Sequence, residues 1–193
     1  MRQLTRTTRL RAALTAVALA GALGVTAATT APAQAHDAHD EPTTTSRDIT
    51  PKQLQVIHQA TKKYKTPAAA ETAGFVGTDA CTELPGVGGM GFHYVNYANV
   101  LDGVADPTKP DVLVFVPTAN GGRALGAAEY MGIDLDQDVT TDDGRPSLFG
   151  TIPFDGPMLG HEPGMPVHYD LHVWLYKHNP AGMLEPWNSA VSC

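Results

Sequence analysis

The chain has 193 residues, with 13 Lys plus Arg against 20 Asp plus Glu, a formal net charge of −7, eight histidines and two cysteines. That acidic balance argues against a nucleic-acid partner, since phosphate binding needs clustered cations. Beyond the first 35 residues no long apolar stretch occurs, so the sequence predicts no stable membrane insertion of the remainder.

Residues 1–35 read as a secretory signal peptide. Arg2, Arg6, Arg9 and Arg11 precede an apolar run from Ala12 to about Ala28, and Ala31-Pro32-Ala33-Gln34-Ala35 offers two overlapping small-residue cleavage sites. A transmembrane anchor fits less well, because Gly21, Gly24 and Thr26 interrupt the run. There is no Arg-Arg pair for the twin-arginine route and no Cys near the cleavage site for a lipid anchor. Cleavage leaves about 158 residues, enough for one domain with a core. Of the 13 Lys plus Arg, the four arginines leave with a leader that carries no acid, so the formal charge moves from −7 to −11. The expected address is secreted, outside the cell. There Cys81 and Cys193 read as a disulfide rather than a two-thiolate metal site, since neither has a ligand at CxxC spacing. Such a bond ties the last residue to the middle of the chain, and loop entropy gives it roughly 4–5 kcal/mol.

Residues 36–49 are polar and predict a flexible arm. Cleavage after Ala35 leaves His36 first, and cleavage after Ala33 leaves it third; both suit copper, though a plain polar arm is the simpler reading. Residues 50–193 form the expected single domain. Thr50, Pro51 and Gln53 are a capping box with proline at the first helical position. Leu54, Ile57, Thr61 and Tyr64 then recur on one helical face. Thr66-Pro67 starts a second short helix, which Gly74 stops.

From Phe75 the chain turns glycine- and proline-rich. Pro85 to Gly91 predicts a loop, and Phe92 to Tyr97 a strand. Asp111 to Pro117 and Arg123 to Met131 predict two strands joined at Asn120-Gly121. Asp134 to Arg145 predicts a solvated acidic loop in preference to a calcium site, because its spacing does not continue as an EF-hand. Ser147 to Ile152 predicts a short strand, Gly156 to Pro166 a loop, and Val167 to Tyr176 the clearest strand; the tail to Cys193 is irregular. Helices first and strands later imply α+β: an N-terminal helical element followed by an antiparallel β-sheet or barrel-like roll.

Chemistry concentrates in three places. Strand alternation from His168 to Tyr176 places His168, Asp170, His172, Trp174 and Tyr176 on one face and Tyr169, Leu171, Val173 and Leu175 on the other. His93 follows the glycine-rich segment in Met90-Gly91-Phe92-His93-Tyr94. Glu129 shares a strand face with Leu125, Ala127 and Met131, where an acid needs a partner or a ligand. His93, Glu129, His168 and His172 therefore make a candidate three-His, one-Glu metal set. Copper and zinc suit it best among divalent metals. His161 in its loop is rim or ligand, and His58 and His178 are surface positions. No nucleophile elbow, P-loop or dinucleotide fingerprint occurs, so no catalytic residue is assigned.

The set is similar to a cupin-type His/Glu site, although a cupin has an early His-x-His and a later lone His, and here the lone His comes first. The motifs M-G-F-H-Y, A-A-E-Y, Y-D-L-H-V-W and W-N-S-A-V-S-C resemble a family of uncharacterised secreted single-domain proteins of high-GC Gram-positive bacteria. That resemblance implies export and one shared fold and brings no functional residues with it. The expected function is a secreted divalent-metal-binding protein for metal handling or sensing. A metal-dependent hydrolase or oxidoreductase with Glu129 or Asp170 as base is the second expectation. The third is a metal-free structural or small-ligand-binding domain, in which Tyr94, Trp174, Tyr176 and Trp187 line a pocket or the core.

Overall fold

A computed structural model describes residues 47–161 and 164–193. The predicted leader, most of the predicted arm with His36, and Glu162 and Pro163 lie outside the described residues. Thr50 caps helix α1 (Pro51–Thr61), with both halves of the capping box to Gln53 formed. Thr66 caps α2 (Pro67–Thr72), its side chain accepting from the Ala69 N–H. Ile57 and Thr61 are buried, Leu54 packs beside Ile57, and Tyr64 packs against Phe75. The helical face is thus the one that the spacing predicts. His58 and His178 are exposed, also as predicted.

Strands β1 (Val76–Leu84), β2 (Gly88–Val95), β3 (Val112–Pro117), β4 (Arg123–Ile133), β7 (Asp155–Met158) and β8 (His168–Val173) form one antiparallel sheet in the order β1-β2-β3-β4-β8-β7. It curls into a half-barrel. Strands β5 (Ser147–Leu148) and β6 (Ile152–Pro153) make a separate small pair, where the sequence predicts one strand. The antiparallel sheet is as expected, but the balance is mostly β. Three helices occur among the described residues, of 11, 6 and 4 residues. Among the described residues no helix is long and apolar enough to cross a membrane.

Several boundaries depart from the sequence reading. The expected loop Pro85–Gly91 is only a turn, and β2 begins at Gly88. Its glycines serve close packing: a Cβ on Gly88 would meet the Asn188 backbone at 2.4 Å. Gly91 has φ +97°, and a Cβ there would meet the Phe115 carbonyl oxygen at 2.5 Å. Gly91→Ala therefore combines backbone strain with overpacking and costs about 2 kcal/mol, read from the denaturation midpoint. The strand expected to reach Tyr97 stops at Val95, because the Asn96 side chain accepts from the Ala98 and Asn99 N–H groups and caps helix α3 (Tyr97–Val100). The expected Gly156–Pro166 loop starts inside edge strand β7, which pairs with β8 through Asp155–Asp170 and Met158–His168. The last strand ends at Val173 instead of Tyr176, since the Trp174 N–H leaves the ladder and donates to the Met183 carbonyl.

The central strands are covered on both faces. On one side Leu113, Phe115, Ala128, Tyr130, Leu171 and Val173 pack under α1 and α2. Each such Leu, Val or Phe contributes about 1.5–3 kcal/mol on burial. On the other side Val114, Val116, Ala127 and Trp174 pack against Val191 of the C-terminal tail. The tail is held there by Gly89–Asn188 hydrogen bonds of 3.1 Å and by the Cys81–Cys193 disulfide, with an S–S distance of 2.05 Å. Tyr94 and Trp174 are thus core residues, and Tyr176 packs on α1 through the Thr61 hydroxyl at 2.9 Å.

Asp111 stands just before β3 and is 1% exposed, its carboxylate accepting from the Met131 N–H at 2.9 Å. Burial pushes its carboxyl up to about 6. The folded form then keeps a proton that the unfolded chain, with an ordinary aspartate value, has already lost. Stability falls as pH rises through that window. Asp111→Asn removes the penalty. Its stability relative to wild type rises by about 2–3 kcal/mol between pH 4 and pH 7 in urea titrations.

Candidate metal centre

The tail-side face of the sheet carries an unusual strip of buried polar groups. Strand β8 alternates as predicted, with Tyr169, Leu171 and Val173 in the helix-side core and His168, Asp170 and His172 facing the other way. All six residues are buried, and the three polar ones are 0% exposed. Glu129 pairs with His172 across β4 and β8. His93 arrives from β2, one strand beyond β3, where it pairs with Val114.

Glu129 reaches this face with Ala127 and Met131 but without Leu125. A bulge between Val114 and Phe115 pairs Val114 with Ala127 and Phe115 with Leu125. The additional residue, Gly126, sends Leu125 to the helix-side core. The sequence reading, which places Leu125 beside Glu129, is corrected by that one-residue slip. Tyr130, the next residue, turns to the helix-side core with Leu171 and Val173. Glu129 and Tyr130 are both buried, because both faces are covered.

The geometry brings together His93, Glu129 and His172. The Glu129 Oε2 atom lies 3.5 Å from His93 Nε2 and 3.7 Å from His172 Nε2. One ligand atom from each of the three lies within 4.8 Å of the others. These separations are too long for hydrogen bonds, and both Glu129 Oε2 and His172 Nε2 are buried without a hydrogen-bond partner. Metal–ligand bonds of about 2.0–2.2 Å at tetrahedral angles place ligand atoms about 3.3–3.6 Å apart, close to what is seen.

His168 does not join them. Its Nε2 lies 3.8 Å from Asp170 Oδ2, in a second group with His161. Four residues along a strand is simply too far for His168 and His172 to share an ion. Asp170 stands between the groups, with Oδ1 3.8 Å from His172 Nδ1. The sequence reading names Asp170 only as a candidate base. Its position between two histidines is written in the His-x-Asp-x-His period of two, which places all three side chains on one face.

Electrostatics favour a cation here. Glu129 and Asp170 are buried carboxyl groups, and Arg47, Lys109 and Arg145 pair elsewhere, with Asp155, Asp106 and Asp142. Burial and the neighbouring His172 push the His93 imidazole down to about 3, so its nitrogen is a free base near neutral pH. Burial pushes the Glu129 carboxyl up to about 8. Burial also disfavours charge on His172, but Glu129 and Asp170 outweigh it and lift the ring to about 9.

Beside the group lies a cavity of about 480 Å³. Val95, Val112, Met131, Ile133 and Met165 form much of its wall, and His93, Glu129 and His161 supply polar groups. The aromatics Tyr94, Trp174, Tyr176 and Trp187 do not line it. A third acidic group, Asp134, Asp136 and Asp143, sits in the expected acidic loop. There Asp136 is already engaged by the Asp138 N–H and the Thr141 hydroxyl, both at 2.9 Å. No protein-family model, curated protein or solved structure matches the chain.

Proposed function

We propose that this is an exported divalent-metal-binding protein that uses His93, Glu129 and His172 as ligands for copper or zinc. The observation that carries the reading is the buried Glu129 Oε2, unpartnered and 3.5 and 3.7 Å from two imidazole nitrogens. Two nitrogens and one oxygen suit a borderline metal better than calcium or magnesium. Asp170 supports the set from behind, as a carboxylate facing the far nitrogen of His172. The leader and the single disulfide support handling or sensing of the metal outside the cell.

The test is bound metal after reconstitution with copper or zinc and desalting. Wild type retains the ion, and His93→Ala and His172→Ala lose it from this site. A wild type that retains none overturns the reading. Asp170→Asn is expected to keep the ion with affinity weakened about 10–100-fold, read by competition with a chelator.

The cavity favours a metal-dependent hydrolase or oxidoreductase as a second reading. Three protein ligands beside a cavity leave a coordination position for water or substrate, the arrangement of catalytic zinc. Cobalt-loaded protein is then expected to change its visible spectrum on addition of azide. An unchanged spectrum marks a closed site and overturns this second reading.

A further inference from the structure

We infer that the protein binds a second divalent cation, held by His168, Asp170 and His161, next to the first and distinct from it. The set centres on His168. Its Nδ1 lies 3.1 Å from the Pro166 carbonyl oxygen, which can only accept, so Nδ1 carries the proton. The other nitrogen, Nε2, then presents a lone pair. That lone pair is buried, has no hydrogen-bond partner, and faces Asp170 Oδ2 across 3.8 Å.

Both Asp170 oxygens are also buried without a hydrogen-bond partner. Two acceptors facing one another across a gap too long for a hydrogen bond repel each other. A cation between them turns that repulsion into attraction. His161 completes the set, its ring centroid 5.2 Å from that of His168 at an interplanar angle of 80°. One ligand atom each from His161, His168 and Asp170 lies within 4.8 Å of the others.

His161 is exposed and lines the same cavity as His93 and Glu129. The second ion therefore has a route in, and both ions border one space. The two sets share no ligand. They are linked through Asp170, whose Oδ2 faces the second site while its Oδ1 faces the back of His172. An ion on Asp170 draws the carboxylate's charge away from His172, and the two cations repel, so the sites load in two steps.

The experiment titrates the metal-free, disulfide-bonded protein with zinc, measures bound metal per chain and follows the isotherm. Zinc is chosen because the amine-and-imidazole spacing at His36 suits square-planar copper or nickel instead. Wild type is expected to take up two ions in two phases. His161→Ala and His168→Gln take up one, and His93→Ala takes up one. Because His161 is exposed, His161→Ala does not depend on a core substitution surviving. A single wild-type ion that survives in His168→Gln and is lost in His93→Ala overturns the second site and leaves the first. A single ion lost in His168→Gln and kept in His93→Ala supports the second site while refuting the proposed first. Two ions unaffected by either His161→Ala or His168→Gln overturn the inference.

Discussion

Zinc at about a hundred times its dissociation constant for the proposed His93–Glu129–His172 site is expected to raise the unfolding free energy by about 2.7 kcal/mol, which lifts the thermal midpoint by about 5–10 °C for a domain of this size. The reason is linkage. His93, Glu129 and His172 come from β2, β4 and β8, and only the paired sheet brings them together. The unfolded chain has no such site, so binding free energy becomes folding free energy. Differential scanning calorimetry with and without zinc reads the shift, and a chelator reverses it. In a His93→Ala, His168→Gln double variant, which removes a ligand from each set, the shift disappears. An equal shift in that variant places the ion elsewhere and sinks the assignment of these residues.

Reduction of the Cys81–Cys193 bond, or its replacement by Cys81→Ser with Cys193→Ser, lowers stability by about 4–5 kcal/mol. The bond spans a sequence separation of 112, so in the unfolded chain it closes a very long loop. Its loss also frees the tail that lays Val191 over Val114, Val116 and Trp174. Trp174 stacks on His172 at a centroid distance of 6.2 Å, so a loosened tail exposes the neighbourhood of the candidate metal centre. A single-domain protein has about 5–15 kcal/mol in all, and the variant is expected to be close to unfolding at 37 °C. Urea unfolding of the oxidised and serine forms gives the difference directly. A loss below about 1 kcal/mol would show that loop entropy is not what the bond contributes.

How far the site was legible depends on the range of each signal. The His-x-Asp-x-His alternation is local, and the facing of His168, Asp170 and His172 follows from it. The convergence of His93 with Glu129 is not local. It depends on the register of two strand pairs, β2–β3 and β3–β4, and on a bulge at Gly126 that shifts Leu125 but leaves Glu129 in place. The same limit explains the misread glycines. Gly88 and Gly91 have the composition of a loop, and only the closeness of Asn188 and Phe115 shows why a strand needs them. It also explains why four candidate ligands became two groups, with His168 turned toward His161 and Asp170.

Taken alone, the sequence determined what is written within one turn of helix or a few residues of strand. That includes both threonine caps, the buried face of α1, the strongest strands and the supply of imidazole and carboxylate on one face. Only the tertiary structure decided which of those groups meet. Candidate ligands on β2, β4 and β8 are joined by hydrogen-bonded register across the sheet, and a single bulged residue is enough to change which side chains share a face.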